Sequence, residues 1–201
     1  MKTESVMFAV AGVIFGLIAG WVIGTQQATL RTPASAPPQA SAPGGSEGSR
    51  AAPLDQAQVD ALTSVAGRDP KNPQPRVQLG NLYFDAERYD DSIKWYTEAL
   101  KLAPNDVNVS TDLGVSFYYS NQPDKALTQF DRSLKLDPKH AKTLLNVGIV
   151  KAFGKQDLEG AEAAWRQVVA IAPDAPEGQA AKRALDSLTS AHSGVAKKPG
   201  A

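Results

Sequence analysis

Residues 77–105 read VQLGNLYFDAERYDDSIKWYTEALKLAPN, and residues 111–139 repeat the pattern as TDLGVSFYYSNQPDKALTQFDRSLKLDPK. A glycine, an aromatic residue three positions later, a second aromatic residue and a closing proline recur at an interval of 34 residues. Residues 145–174 form a third copy, in which one inserted residue lengthens the interval to 35. A fixed interval of this length indicates an array of similar structural units.

Each copy contains two helical blocks, because apolar residues recur at helical spacing in two short stretches separated by a turn. Gly80, Gly114 and Gly148 fall in the middle of the first block, where glycine costs about 1 kcal/mol relative to alanine. Three glycines at one register predict a close crossing of two helices, with Ala99 and Ser133 as small residues on the second helix. The closing proline ends the second helix, since proline lacks an amide proton and disfavours helix in the preceding residue.

This pattern resembles the tetratricopeptide repeat (TPR) family, whose unit is a helix–turn–helix. The positions that carry the resemblance in the first two copies are Leu79, Gly80, Tyr83, Ser92, Tyr96, Ala99 and Pro104, then Leu113, Gly114, Phe117, Ala126, Phe130, Ser133 and Pro138. The third copy departs from the pattern, because Lys151 replaces the first aromatic residue and the turn is predicted to be one residue longer. The resemblance implies an all-α solenoid of three helix pairs, over residues 73–106, 107–140 and 141–175.

Both ends of the solenoid are predicted to carry a capping helix, because a terminal repeat would otherwise expose its apolar side. Asp69-Pro70 lies 34 residues before Ala103-Pro104, so residues 54–72 occupy the register of a second helix. Residues 176–190 form an amphipathic stretch at the other end. Residues 191–201 are predicted to be a disordered tail.

The chain begins with an apolar stretch over residues 6–24, and no charged residue lies between Ser5 and Leu30. Nineteen helical residues span about 29 Å, close to the hydrocarbon thickness of a bilayer. A cleaved signal peptide has a shorter apolar core of about 7–15 residues. Residues 1–30 are therefore predicted to form an uncleaved transmembrane signal anchor, and residues 31–53, rich in Pro, Ala, Ser and Gly, a linker.

Four glycines in the apolar stretch recur at every fourth position: Gly12, Gly16, Gly20 and Gly24. Glycine is common in membrane helices, but this spacing also places all four on one stripe where a second helix can approach. Two interpretations stay open: a plain anchor, or a contact with a second copy or another membrane protein. The short N-terminal tail predicts a single-pass protein of a bacterial cytoplasmic membrane, with its C-terminal domain in the periplasm.

Composition and charge argue against nucleic-acid binding and catalysis. The formal net charge is zero and the chain has no cysteine, so neither a phosphate-binding basic excess nor thiol chemistry is expected. His140 and His192 stand outside any catalytic or metal-binding motif, and Asp90 and Asp91 are better explained by the favourable position of acids at a helix start. We expect no enzyme activity, no cofactor and no metal.

In TPR proteins the first helices line the concave side of the superhelix, so the resemblance implies a groove for a protein or an extended peptide. The predicted partner-binding residues are Gln74, Val77, Asn81 and Phe84 in the first repeat, Asn108, Thr111, Val115, Tyr118 and Tyr119 in the second, and Lys142, Leu145, Ile149 and Ala152 in the third. The polar residues would hydrogen-bond a peptide backbone; the aromatic residues would either supply contact area or pack between helices.

Some family members bind a C-terminal carboxylate with lysines, an arginine and asparagines. Asn81 and Lys142 match that pattern here, whereas Val77, Asp112 and Asn146 depart from it. Asp112 would repel a carboxylate, so carboxylate binding is not expected.

The predicted function is a membrane-anchored TPR scaffold that binds a protein partner for envelope complex assembly. One alternative is a structural subunit that joins a membrane complex through the glycine-striped helix. The layout of anchor, linker and three repeats is also similar to that of membrane-anchored TPR proteins of bacterial cytochrome c maturation. A cytoplasmic adaptor remains if the membrane orientation is reversed.

Overall fold

The computed structural model describes residues 52–196, with side chains placed as far as Ser190. This part of the chain contains eight α-helices: α1 Gln56–Arg68, α2 Gln74–Asp85, α3 Tyr89–Leu102, α4 Val107–Tyr119, α5 Pro123–Leu136, α6 Ala141–Ile149, α7 Leu158–Ile171 and α8 Pro176–Ala196. The predicted all-α solenoid is confirmed. The α8 helix continues six residues past the predicted end of the C-terminal cap at residue 190.

The predicted membrane anchor, its glycine stripe and almost all of the linker lie outside the described residues. Within residues 52–196, no helix combines the length and apolar character needed to span a bilayer.

Consecutive helices from α1 to α7 pack on one another along the stack. Helices α2 and α3, α4 and α5, and α6 and α7 form the three pairs, and contacts of α3 with α4 and of α5 with α6 join the pairs. Helix α1 packs on α2 with Val59 and Ala66 buried. In α8 the buried residues are Ala180, Ala181, Ala184 and Leu188, which share one helical face as the amphipathic pattern predicts.

In each repeat, an aromatic ring of the second helix lies against the glycine of the first. A Cβ atom added at Gly80 would overlap the ring of Tyr96, and one at Gly114 would overlap the ring of Phe130. The same relation holds for Gly148 and the indole of Trp165 in the third repeat. The sequence predicts a small residue opposite each glycine, but the nearest atoms belong to a ring because the glycine makes space for it.

The residue inserted in the third repeat lies in the first helix and not in the turn. Helix α6 continues as a π-helical turn over Val150–Gly154, closed by a 3.0 Å hydrogen bond from the Lys155 N–H to the Val150 carbonyl. The turn that follows keeps a residue with positive φ, Gln156, as the other two repeats do at Glu87 and Asn121. The prediction of a longer turn is therefore wrong, since the helix absorbs the extra residue.

Hydroxyl pairs hold neighbouring helices in register inside the core. Ser92 and Ser116 share a hydrogen bond of 3.0 Å between α3 and α4, and Thr111 and Thr143 share one of 2.6 Å between α4 and α6. All four side chains are fully buried. Within the described residues, every buried polar side-chain atom has a hydrogen-bond partner, as expected for groups whose desolvation must be compensated.

The glycine–ring contact leads to a prediction on stability. Gly114→Ala should lower the free energy of unfolding by about 1–3 kcal/mol, because the added methyl group overlaps the buried ring of Phe130. Gly67→Ala is the matched control: no atom lies within 4 Å of an added Cβ, so this change should stabilise the helix by up to about 1 kcal/mol. Denaturant titration of the full-length protein, followed by circular dichroism, measures both changes. Equal stability of the two variants would contradict the packing described here.

Candidate partner-binding groove

The surface formed by the first helices α2, α4 and α6 is called the groove below. Residues four or seven positions apart share one helical face, which aligns Asn81 with Asp85 on α2 and Asp112 with Tyr119 on α4. Helix α6 contacts α4 directly. The groove thus combines side chains from all three repeats.

Four partly exposed aromatic rings form a continuous cluster at one edge of the groove, and we call them the aromatic cluster: Phe84, Tyr89, Tyr118 and Tyr119. The ring centroids of Phe84 and Tyr89 lie 5.4 Å apart, and those of Phe84 and Tyr119 lie 5.5 Å apart. Tyr119 also stacks on Tyr89 at 5.2 Å and meets Tyr118 edge-on at 5.5 Å. The rings both pack between helices and present an outer surface, so the two roles considered for them are compatible.

Beside this cluster, the groove carries polar groups that are already paired with one another. The Tyr96 hydroxyl donates to Asn81 Oδ1 at 2.6 Å. Burial raises the pKa of Tyr96, and the charges of Asp112 and Asp85 raise it further. Lys142 Nζ donates to Asp112 Oδ1 at 2.6 Å, and both side chains are partly exposed. This ion pair neutralises the one lysine that matches the carboxylate-binding pattern.

A chain of hydrogen bonds joins the second and third repeats at the N-terminal ends of α4 and α6. His140 Nε2 lies 3.1 Å from Asn108 Oδ1, and His140 Nδ1 lies 2.7 Å from Thr143 Oγ1. Thr143 in turn contacts Thr111. Burial lowers the pKa of His140, which favours its neutral imidazole. Sequence reasoning missed this role for His140, because no local motif signals a contact with a residue 32 positions earlier.

The structure divides the predicted partner-binding residues into surface and core residues. Gln74 and Asn108 are exposed. The partly exposed residues are Val77, Asn81, Phe84, Val115, Tyr118, Tyr119 and Lys142.

Four of the predicted residues are buried: Thr111, Leu145, Ile149 and Ala152. The Thr111 hydroxyl is directed to the Val107 carbonyl and to Thr143. A peptide backbone therefore cannot reach Thr111 in this conformation, which corrects its assignment. Leu145, Ile149 and Ala152 lie in the core and likewise contribute packing, not contact surface.

The paired helices and their glycine–ring contacts define an α-helical repeat solenoid. Two family models, each described as tetratricopeptide repeat, match residues 74–139 and 111–176. Residues 74–176 therefore consist of tetratricopeptide repeats.

Curated relatives match a part of this chain. The chain is 26% identical over 88 residues to Hsp70-Hsp90 organizing protein 3 of Arabidopsis thaliana. This match covers 44% of this chain and 16% of that protein. It is 28% identical over 78 residues to the peroxisomal targeting signal receptor of Saccharomyces cerevisiae. This match covers 39% of this chain and 13% of the receptor. The match therefore spans less than a fifth of either relative.

Solved structures share the fold at low sequence identity. MamA is 18% identical, with a TM-score of 0.55, over 70% of this chain and 90% of MamA. The first TPR of Spaghetti (RPAP3), bound to the HSP90 peptide SRMEEVD, is 20% identical to this chain, with a TM-score of 0.52. The match covers 70% of this chain and 97% of that structure. Identities at this level establish the common fold alone.

The Asp112–Lys142 ion pair predicts how the groove responds to acidic peptides. Asp112→Asn releases Lys142 and removes a repulsive charge, so a peptide with a free C-terminal carboxylate should bind about fivefold more tightly, equivalent to about 1 kcal/mol. Asp124→Asn is the control, because it releases Lys155 from a similar 2.7 Å ion pair outside the groove. Fluorescence anisotropy with a labelled acidic peptide measures both. A gain in the control variant alone would contradict the assignment of Lys142 to the groove.

Proposed function

We propose that this protein is a membrane-anchored TPR scaffold that binds a protein or peptide partner in its groove and takes part in envelope complex assembly without catalysis. The observation that carries the proposal is the aromatic cluster, four partly exposed rings at the edge of the groove. Aromatic side chains supply large contact areas and are enriched where proteins bind one another. The names of the relatives support a protein-binding role: one organises Hsp70 and Hsp90, and another is a targeting signal receptor.

The anchoring part of the proposal is supported by the sequence. Residues 6–24 have the length and apolar character of a transmembrane helix. The linker over residues 31–53 would reach about 26 Å as a flexible coil, which leaves the repeats near the membrane but free to turn. We propose that the repeats lie on the periplasmic side of the membrane.

A second candidate is a structural subunit that joins a membrane complex through its anchor helix. The observation that favours it is the stripe of four glycines from Gly12 to Gly24, whose spacing suits close helix packing. The predicted layout of anchor, linker and three repeats resembles that of TPR proteins of cytochrome c maturation. This resemblance gives a narrower form of the scaffold proposal, in which the partner is an apocytochrome.

Site-specific photocrosslinking in intact cells tests the scaffold proposal. A photoreactive phenylalanine derivative in place of Tyr118 should capture a discrete partner, because this ring lies in the aromatic cluster. The same derivative in place of Lys135, an exposed residue of α5, is the control. Capture that is equal at both positions would count against binding in the groove.

Photocrosslinking at Tyr118 in a Gly16→Ile/Gly20→Ile variant distinguishes the scaffold proposal from the structural-subunit candidate. If the groove binds the partner, crosslinking at Tyr118 should persist in this variant. Loss of the partner with the repeats still folded would favour the structural-subunit candidate.

Protease accessibility tests the proposed location. The repeats should be digested once the outer membrane is opened while the cytoplasmic membrane remains sealed. Protection until the cytoplasmic membrane is broken would reverse the proposed orientation and favour a cytoplasmic adaptor.

A further inference from the structure

The C-terminal ends of two first helices meet at the aromatic cluster. Phe84 lies in the last turn of α2 and Tyr119 is the last residue of α4, and their rings are 5.5 Å apart. The C-terminal end of a helix carries partial negative charge, which a basic residue in the last turn often balances. Neither α2 nor α4 has a basic residue in its last turn. Both helix ends therefore add negative potential to the same edge of the groove.

Two carboxylates add to that potential. Asp85 ends α2, and Glu87 lies in the turn with φ of 56°. Within the described part of the chain, neither forms an ion pair with a lysine or arginine. The neighbouring Arg88 is bound to Asp91 and lies over the ring of Tyr83, 5.0 Å from its centroid.

The negative potential extends to the aromatic rings. Burial raises the pKa of Tyr89 to about 12, with smaller contributions from the charge of Glu87 and from Tyr119. Burial also raises the pKa of the Asp85 carboxyl, because partial desolvation disfavours its charged form. The charge of Glu87 therefore reaches the Tyr89 hydroxyl, and among the described residues no lysine or arginine pairs with Asp85.

The third repeat differs at the corresponding edge. Its first helix continues into a π turn that carries Lys151, and Lys155 follows. Lys151 is paired with Asp157 and Lys155 with Asp124. Among the described residues, the unpaired carboxylates of this edge therefore belong to the first repeat, where they lie next to Phe84 and Tyr89 of the aromatic cluster.

We propose that the aromatic cluster and its acidic edge bind a basic segment of the partner, with a lysine or arginine side chain against the rings and its charge facing Asp85 and Glu87. The negative faces of aromatic rings attract cations, and the two carboxylates and two helix ends act in the same direction. This inference rests on the proposed function and specifies the chemistry of the partner. A segment that is acidic or ends in a carboxylate would meet repulsion at the same edge.

The test uses the full-length protein in detergent and two labelled peptides that differ only in charge. The first contains arginines between glycine, serine and proline residues, and in the second each arginine is replaced by glutamine. The arginine peptide should bind at least about tenfold more tightly to the wild-type protein, and Asp85→Asn/Glu87→Gln should reduce its affinity about fivefold. Tyr89→Leu, which keeps an apolar side chain but removes the ring, should reduce the affinity about threefold.

Asp60→Asn/Asp186→Asn is the matched control, because it removes the same amount of charge from exposed positions in the end helices α1 and α8. Circular dichroism establishes that each variant is folded. The proposal predicts less than about a twofold change in this control. A loss equal to that of the Asp85/Glu87 variant would assign binding to the overall charge of the protein and overturn the proposal.

Two further outcomes separate this inference from the proposed function. Equal binding of the arginine and glutamine peptides would overturn the preference for a basic segment and leave groove binding in place. Absence of arginine-peptide binding, in a protein that still captures its partner through Tyr118, would also overturn the inference alone. Failure of capture at Tyr118 would instead count against the groove itself.

Discussion

The contact between a glycine and an aromatic ring sets the geometry on which the rest of this structure depends. Each repeat places the ring of its second helix against the glycine of its first, and all three rings are buried. A ring of this size buries about 150–250 Å², so the contact both stabilises the pair and fixes the distance between its helices. That distance determines which face of the first helix is covered and which face remains available in the groove.

Contacts between repeats include buried hydrogen bonds that fix their register. The Ser92–Ser116 and Thr111–Thr143 hydrogen bonds join one repeat to the next, while within a repeat the packed ring can also hydrogen-bond across the pair, as Tyr96 does to Asn81. A buried hydroxyl that lost its partner would cost about 1–3 kcal/mol, so slippage between repeats is penalised even where apolar packing would tolerate it. The fixed register also brings the ends of α2 and α4 together, which makes the aromatic cluster a consequence of repeat stacking.

The sequence predicts the repeats well because glycine, aromatic residues and proline have strong local consequences. It predicts the exposure of individual residues less well. Thr111 and Val77 occupy the same register, yet Thr111 is buried because Thr143 of the following repeat covers it, while Val77 stays partly exposed. Packing between repeats also explains why the position of the π turn is not predicted from the sequence. The sequence spacing reveals one extra residue, but packing decides whether the helix or the turn accommodates it. The membrane anchor lies outside the described residues and stays a prediction.

Fold similarity at 18–20% identity leaves the partner open, because a few charged side chains decide what the groove accepts. Asp112 has a cation within the protein, and the resulting pair removes Lys142 as a free ligand for a carboxylate. Among the residues that the structure describes, Asp85 and Glu87 have no such cation, and they lie where two helix ends and four rings already favour positive charge. A charge that is balanced internally contributes little to recognition, whereas an unbalanced charge beside an exposed apolar surface favours a complementary partner. The same solenoid can thus serve partners of opposite charge, according to which of its carboxylates are paired.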